Sequence, residues 1–159
     1  MKKIHILLGL LMIVLFPLNA QNNVEGISFT KIIEVPNTSA DELYVKCNEW
    51  FVRTFVSAES VIEFSDKENG KILGKYVFKV FPSRIKSTIT IDIKDNKIRF
   101  KCDTPTVLSV SPDIQNDLVL TEEHTQYRSW KKTLSKINLV WETLAVDLEL
   151  SLIDENDDW

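Results

Sequence analysis

The sequence predicts one α+β domain in which an antiparallel β-sheet is covered on one face by α-helices. Residues 71–102 alternate between apolar and charged side chains, which is typical of antiparallel strands with one solvated face. Segments before and after this region carry apolar residues at steps of three and four, the spacing of amphipathic helices. The 159 residues, 44% of them hydrophobic and 26% charged, suit a single hydrophobic core.

The first two predicted elements are a strand and a helix. Residues 27–35 are rich in β-branched and aromatic side chains, and Pro36 ends this strand. Capping boxes that include Thr38 and Ser39 then start a helix predicted over 40–55. Its apolar stripe consists of Leu43, Cys47, Trp50, Phe51 and Thr54.

Four strands are predicted next, over 60–65, 71–80, 87–93 and 97–102. A turn at 67–70 and a tight hairpin at Asp95-Asn96 connect them, because Gly, Asp and Asn tolerate the backbone conformations that such turns require. The inward positions of the last three strands are Ile72, Tyr76, Phe78, Val80, Ile89, Ile91, Ile93, Ile98, Phe100 and Cys102.

A long C-terminal helix is predicted over 128–153. Its apolar residues recur at steps of four, three, four, three and four, and we expect them to pack on the sheet. The preceding residues, 104–127, form a long connection in which 107–110 suit a short strand and 114–120 a short helix. The stripe of the C-terminal helix consists of Trp130, Leu134, Ile137, Trp141, Leu144 and Leu148.

Three segments resemble a known family. These are the strand end and helix start from Glu34-Val35-Pro36 to Tyr44, the segment 66–75, and the hairpin 91–99. They resemble the domain of unknown function with a TATA-binding-protein-like fold that is common in secreted proteins of Bacteroides-type bacteria. The resemblance covers about 27–103 and implies a β-α-β4-α order with a curved antiparallel sheet and helices on one face. It implies no established activity, and the fold name implies no DNA binding.

The first 20 residues have the layout of a secretory signal peptide. Two lysines precede an apolar run over 4–16, and a small residue, Ala20, ends the segment. The run of about 13 apolar residues is shorter than the roughly 20 needed to span a bilayer. We expect cleavage after Ala20, export to the periplasm or beyond the cell, and one mature domain of residues 21–159 with no transmembrane segment.

The charge is negative and unevenly distributed. Cleavage would remove two of the 19 basic residues and none of the 23 acidic residues, which changes the net charge from −4 to −6. Nucleic-acid binders are usually basic, so no nucleic-acid partner is expected. Residues 67–101 hold ten basic and three acidic residues, whereas no basic residue follows Lys136. Solvated faces are the simpler explanation, and a basic face for an anionic glycan, lipid or protein of the envelope is the alternative.

Residues for catalysis or metal binding are scarce. His124 is the one histidine after the predicted leader, and a zinc site needs three or four ligands, so we interpret it as a surface residue and assign no catalytic residue, metal or cofactor. Because paired carboxylates hydrolyse glycosides without histidine, a carboxylate-dependent hydrolase remains an alternative. Cys47 and Cys102 both face inward, and export permits either a disulfide or two free core thiols.

The outward side of the predicted sheet provides the candidate ligand-binding surface. Lysine on exposed strands also prevents aggregation, which is the alternative explanation for these residues. Three functions follow: a non-catalytic binding module of the envelope, which we favour, a hydrolase, and an assembly protein that uses the C-terminal helix. The oligomeric state and the partner are not predicted. The residues of the candidate surface are Lys75, Lys79, Lys97, Arg99 and Lys101.

Overall fold

The structure is a computed structural model that describes residues 27–55, 61–109 and 117–153. The predicted signal peptide and the acidic residues after Ile153 lie outside the described residues. None of the helices described is long and apolar enough to cross a membrane.

The described residues form six strands, two α-helices and one short 3₁₀ helix. The helices α1 (Ala40–Thr54) and α2 (Arg128–Ile153) match the predicted segments closely. Ser39 caps α1 by accepting a hydrogen bond from the Glu42 amide at 3.3 Å. The strands are β1 (Ser28–Glu34), β2 (Ile62–Asp66), β3 (Lys71–Val80), β4 (Ser83–Lys94), β5 (Lys97–Leu108) and β6 (Leu118–Val119), and the 3₁₀ helix is Glu122–Gln126.

The strands form one antiparallel sheet in the order β1-β5-β4-β3-β2. Strand β6 pairs with β5 at residues 106 and 107, on the edge that β1 leaves free beyond residue 103. The predicted α+β class, with its β-α-β4-α core and an antiparallel sheet, is therefore confirmed. The β3–β4 hairpin turns at Phe81-Pro82, which are joined by a cis peptide bond.

Both helices pack on the same face of the sheet, and two tryptophans connect the layers. Trp141 of α2 is fully buried and donates a hydrogen bond from Nε1 to Oγ of Ser87 on β4 at 3.2 Å. Trp50 of α1 donates from Nε1 to Oδ2 of Asp147 on α2 at 2.7 Å. Since both indole N–H groups have partners, these large side chains are buried without an unsatisfied donor.

Gly74 lies where the backbone before β2 and a ring of α1 both come close to β3. A Cβ at this position would lie 2.8 Å from the carbonyl oxygen of Val61 and 3.2 Å from Cε1 of Phe51. Glycine is therefore found at an inward position of β3, where the alternation would place an apolar side chain, because the Val61 carbonyl and the Phe51 ring occupy that space.

The region after residue 103 differs from the prediction. Strand β5 continues to Leu108, so the long connection begins later than predicted, and the proposed short strand 107–110 is partly the end of β5. The helix predicted over 114–120 is wrong in its described part, because Leu118–Val119 forms a strand. Two leucines hold residues 118–120 beside β5. Leu118 pairs with Val107, and the buried Leu120 donates a hydrogen bond from its amide to the Pro105 carbonyl at 2.8 Å.

Candidate binding surface

The sheet face opposite the helices is called the open face here. On β4, buried residues, which are four isoleucines and Ser87, alternate with exposed or half-buried polar residues. Ile32 and Val77 are exposed apolar side chains on this face, at 61% and 40%. The charged residues of β3, β4 and β5 on the open face are Lys71, Lys75, Lys79, Arg84, Lys86, Asp92, Lys94, Lys97, Arg99, Lys101 and Asp103.

The five residues predicted for this surface all lie on the open face, in two groups. Lys97, Arg99 and Lys101 follow one another along β5, at steps of about 6.7 Å. Lys75 and Lys79 lie on β3, which is separated from β5 by β4 and hence lies about 10 Å away. The structure therefore brings the two groups to one face but does not place them in one cluster.

Three of the predicted five are neutralised by neighbouring carboxylates. Lys75 Nζ lies 2.8 Å from Glu63, Lys101 Nζ lies 2.8 Å from Asp103, and Arg99 binds Asp92. These residues are less available to a ligand, because an anion would have to displace an existing partner.

Asp92 is the centre of the ion pairs on the open face. Its Oδ2 accepts hydrogen bonds from Arg99 Nε at 3.0 Å and Nη2 at 2.8 Å, and its Oδ1 lies 3.5 Å from Lys71 Nζ. Burial raises the pKa of Asp92, but the Arg99 hydrogen bonds and charge, with the smaller effect of Lys71, outweigh burial and hold that pKa below its usual range.

Two pairs of like charge have no acidic partner within the described part of the chain. Lys94 and Lys97 are directly opposite each other across the β4–β5 hairpin, and Lys79 and Arg84 are directly opposite across the β3–β4 hairpin. No Asp or Glu oxygen of the described residues lies within 4.0 Å of any of these four cations, although Glu34 is the register partner of Lys97 on β1. Directly opposed like charges are unfavourable in a sheet, and an anion bound between them would relieve the repulsion.

Each like-charge pair borders a groove. The first groove has a volume of about 180 Å³, and exposed Ile32 provides its apolar wall. The charged residues that line it are Asp92, Lys94, Lys97 and Arg99. The second has a volume of about 400 Å³ and contains Lys79, Arg84 and the turn at Phe81 and Pro82. Phe81 is 89% exposed, more than any other large apolar side chain of the described residues.

Sequence reasoning missed four cations of the open face. Arg84 and Lys86 lay outside the predicted strand, which began at residue 87, whereas β4 begins at Ser83. Lys71 and Lys94 stood at the ends of predicted strands and were not included. The sequence contained signals for these cations. Arg84-Ile85-Lys86 continues the alternation of the predicted strand, and a two-residue hairpin loop at 95–96 places residues 94 and 97 opposite each other.

The two cysteines are free thiols in the core. Cys47 on α1 and Cys102 on β5 are both fully buried, and the disulfide that export would permit is not formed between them. Burial raises the pKa of the Cys47 thiol to about 12. Burial, and secondarily the charge of Asp103, also raise the pKa of Cys102. Neither thiol has the lowered pKa that a nucleophilic cysteine requires.

His124 has a structural role at the start of the 3₁₀ helix. Its Nδ1 accepts a hydrogen bond from the Thr121 amide at 3.1 Å, and its ring contacts Trp130 edge-on with centroids 5.7 Å apart. Within the ranges that the structure describes, no group of three or more His, Cys, Asp or Glu side chains is arranged to hold a metal ion.

Two carboxylates, Asp66 and Asp92, have lowered pKa values and are therefore ionised at neutral pH. The side-chain and backbone hydrogen bonds of Asn69 lower the pKa of Asp66, and the pKa of Asp92 is lowered as described above. A general acid at neutral pH needs a carboxyl with a raised pKa, so these two groups do not favour the hydrolase alternative.

The fold and this surface define a small α+β protein with one helix-covered sheet face and one basic open face. The chain belongs to the family described as a domain of unknown function (DUF4468) with TBP-like fold, whose model matches residues 29–107. The matched region runs from β1 to the end of β5 and includes the five predicted surface residues.

Two solved structures share this fold. A DUF4468 family protein from Bacteroides ovatus is similar with a TM-score of 0.64 and 16% identity, over 84% of this chain and 90% of its own. A TBP-like protein from Parabacteroides distasonis is similar with a TM-score of 0.64 and 16% identity, over 82% and 94% of the two chains. Among curated proteins, none matches this chain.

Proposed function

We propose that this protein is an exported, non-catalytic binding module of the bacterial envelope, and that its open face binds an extended anionic glycan. The observation that carries this proposal is the presence of two opposed like-charge pairs, Lys94 with Lys97 and Lys79 with Arg84, that lack acidic partners among the described residues. Fixed cations without partners attract anions and steer their association.

The spacing of the two pairs favours an extended ligand over a small one. They lie at opposite ends of β4, whose ten residue steps from Arg84 to Lys94 span about 33 Å. Each groove borders one of the two pairs, so a chain that lies along β4 would reach both. Exposed Ile32 and Val77 add apolar surface for the faces of sugar rings.

Binding of the mature protein to three probes tests the proposal. We expect the acidic polysaccharide polygalacturonate to bind and neutral dextran not to bind, with binding that weakens as salt increases. Vesicles of phosphatidylglycerol are the third probe. Binding to these vesicles without binding to polygalacturonate would assign the face to lipid headgroups and overturn the glycan proposal.

Serine variants locate the site. Lys94→Ser with Lys97→Ser, and Lys79→Ser with Arg84→Ser, are each expected to weaken polygalacturonate binding at least about fivefold, since a charge contact contributes around 1 kcal/mol. Lys131→Ser with Lys132→Ser, on exposed positions of α2, removes the same charge elsewhere and is the matched control. Equal losses in the control would show that net charge, and not the open face, determines binding.

A further inference from the structure

Helix α2 carries a second apolar stripe on the side that faces solvent. The stripe predicted from the sequence is on the other side of the helix, where Leu134, Ile137 and Trp141 are buried in the core. At about 100° per residue, the exposed residues fall within an arc of about 60° directly opposite this buried stripe. They are Leu139 at 63%, Val146 at 41%, Leu150 at 63% and Ile153 at 56% exposure.

The spacing of this outer stripe is that of a helix-pairing seam. Leu139, Val146, Leu150 and Ile153 follow at steps of seven, four and three, and Thr143 completes the steps of four and three between the first two. Such a seam accepts the apolar side chains of another helix over about 21 Å. Thr143 directs its hydroxyl to the Leu139 carbonyl at 2.7 Å, so its methyl group remains available to the seam.

Acidic side chains border the outer stripe. Glu142 and Glu149, seven residues apart, lie along one border, and Asp147 lies along the other. Glu149 pairs with Lys31, and Asp147 keeps its negative charge while accepting hydrogen bonds from Trp50 and Thr54 of α1. Among the described residues, Glu142 has no Lys, Arg or His nitrogen within 4.0 Å. No basic residue follows Lys136 in the sequence.

The charges beside the outer stripe indicate what kind of molecule binds there. A second copy laid antiparallel over the same stripe would bring the bordering carboxylates of the two helices together, and an anionic membrane would repel them. A helix with an apolar seam and lysine or arginine on its borders satisfies both the apolar residues and the charges. We infer that the outer stripe of α2 binds a basic amphipathic helix of a partner protein.

The first test uses a synthetic peptide as the probe. We choose a helical peptide of about 21 residues with leucine at heptad seam positions and lysine on both borders. We expect it to bind the protein, and we expect the same peptide with glutamate in place of lysine, and a scrambled leucine–lysine peptide, to bind at least about tenfold more weakly. Equal binding of the scrambled or the acidic peptide would overturn the inference.

Variants then place the peptide on α2. Leu139→Ser with Leu150→Ser is expected to weaken peptide binding at least about tenfold, and Glu142→Gln about twofold to fivefold. Val45→Ser with Val52→Ser, on exposed positions of α1 at 50% and 65%, is the matched control and should leave binding unchanged. Equal weakening by the control would overturn the assignment, and circular dichroism of each variant checks that the fold is retained.

A second copy of the protein or a membrane bound to the outer stripe would give different experimental results. Concentration-dependent dimerisation by light scattering that Leu139→Ser with Leu150→Ser abolishes would identify a second copy and overturn the inference. Binding to phosphatidylglycerol vesicles that this variant abolishes would do the same in favour of a membrane. The open-face variants alter neither the outer stripe nor peptide binding, so this inference and the glycan proposal fail independently.

Discussion

The covered and open faces of the sheet are formed by the same strands but hold their side chains in different ways. On β4, Ile85, Ile89 and Ile91 are fully buried under the helices, and their neighbours fix their positions by packing. On the open face, Asp92 forms ion pairs with Arg99 and Lys71, and Lys94 has no acidic partner within 4.0 Å among the residues that the structure describes. The covered face is held by packing, whereas the charged side chains of the open face are held by ion pairs or by none among the described residues.

The largest difference between the faces is expected in thiol reactivity. At pH 8, raising the pKa of Cys47 from 9.0 to about 12 lowers its thiolate fraction about 10³-fold. Cys102 is similarly buried, so both native thiols should react with a disulfide reagent far more slowly than the thiol introduced on the open face by Val77→Cys. Stopped-flow and manual labelling at pH 8 measure the three rates.

Denatured protein provides the control for this experiment. Without reductant, denaturant should expose two reactive thiols in the native sequence. Recovery of none would mean that Cys47 and Cys102 are bonded, and rapid labelling in the folded protein would mean that the covered face is open to solvent.

Truncation of a core tryptophan is expected to have the next largest effect. Trp141→Ala removes a fully buried indole and its hydrogen bond to Ser87, and should lower the free energy of unfolding by about 3–5 kcal/mol. Val77→Thr, on the open face of β3, keeps a β-branched side chain and should change it by less than about 0.5 kcal/mol. Urea unfolding measures both, and similar losses would remove the distinction between the two faces.

Gly70 and Asn96 both have a positive φ in a turn, but they differ in how closely the surrounding atoms pack. Alanine at each position therefore separates the effect of packing from that of the backbone conformation. Gly70 has φ of 58°, and a Cβ there would lie 2.5 Å from the Ile93 carbonyl oxygen, so Gly70→Ala is expected to lower stability by about 2–3 kcal/mol. Asn96 has φ of 65° in an exposed turn, so Asn96→Ala should lower stability by only about 1 kcal/mol. Thermal unfolding compares the variants, and an equal loss would show that the backbone conformation alone determines it.

The elements that could be predicted from the sequence are those with a regular local period. Helix α2 was predicted over its full range because apolar residues at steps of three and four define its buried side. The end of β5 could not be predicted, because Pro105 and the φ of 51° at Thr104 are unusual within a strand and the β4 pairing is irregular between Lys86 and Thr88. Strand β6 has two residues, too few to show a period.

The sequence predicted which face of the sheet carries the candidate surface, but it did not predict which of the cations form ion pairs. Alternation placed Lys75 and Arg99 on the open face, whereas their neutralisation by Glu63 and Asp92 depends on the register between strands. The register of two strands joined by a tight hairpin follows from the length of the loop. The pairing of β2 with β3, in contrast, contains an irregularity between Ile62 and Phe64, and nothing in the sequence indicates it.

The smallest expected effect concerns the acid stability of the open face. The pKa of Asp92 is lowered in the folded protein, so its ion pairs stabilise the fold above the unfolded pKa of about 3.9 and this contribution is lost as the pH falls through the lower folded pKa. Asp92→Asn should therefore cost less than about 1 kcal/mol at pH 7, because the pairs are partly exposed, and nothing once the pH is below the folded pKa. Urea unfolding from pH 7 to pH 2 measures the difference between the two proteins. A loss of several kcal/mol at pH 7, or a loss that does not shrink as the pH falls, would show that Asp92 supports packing, and that the open face shares the structural role of the covered face.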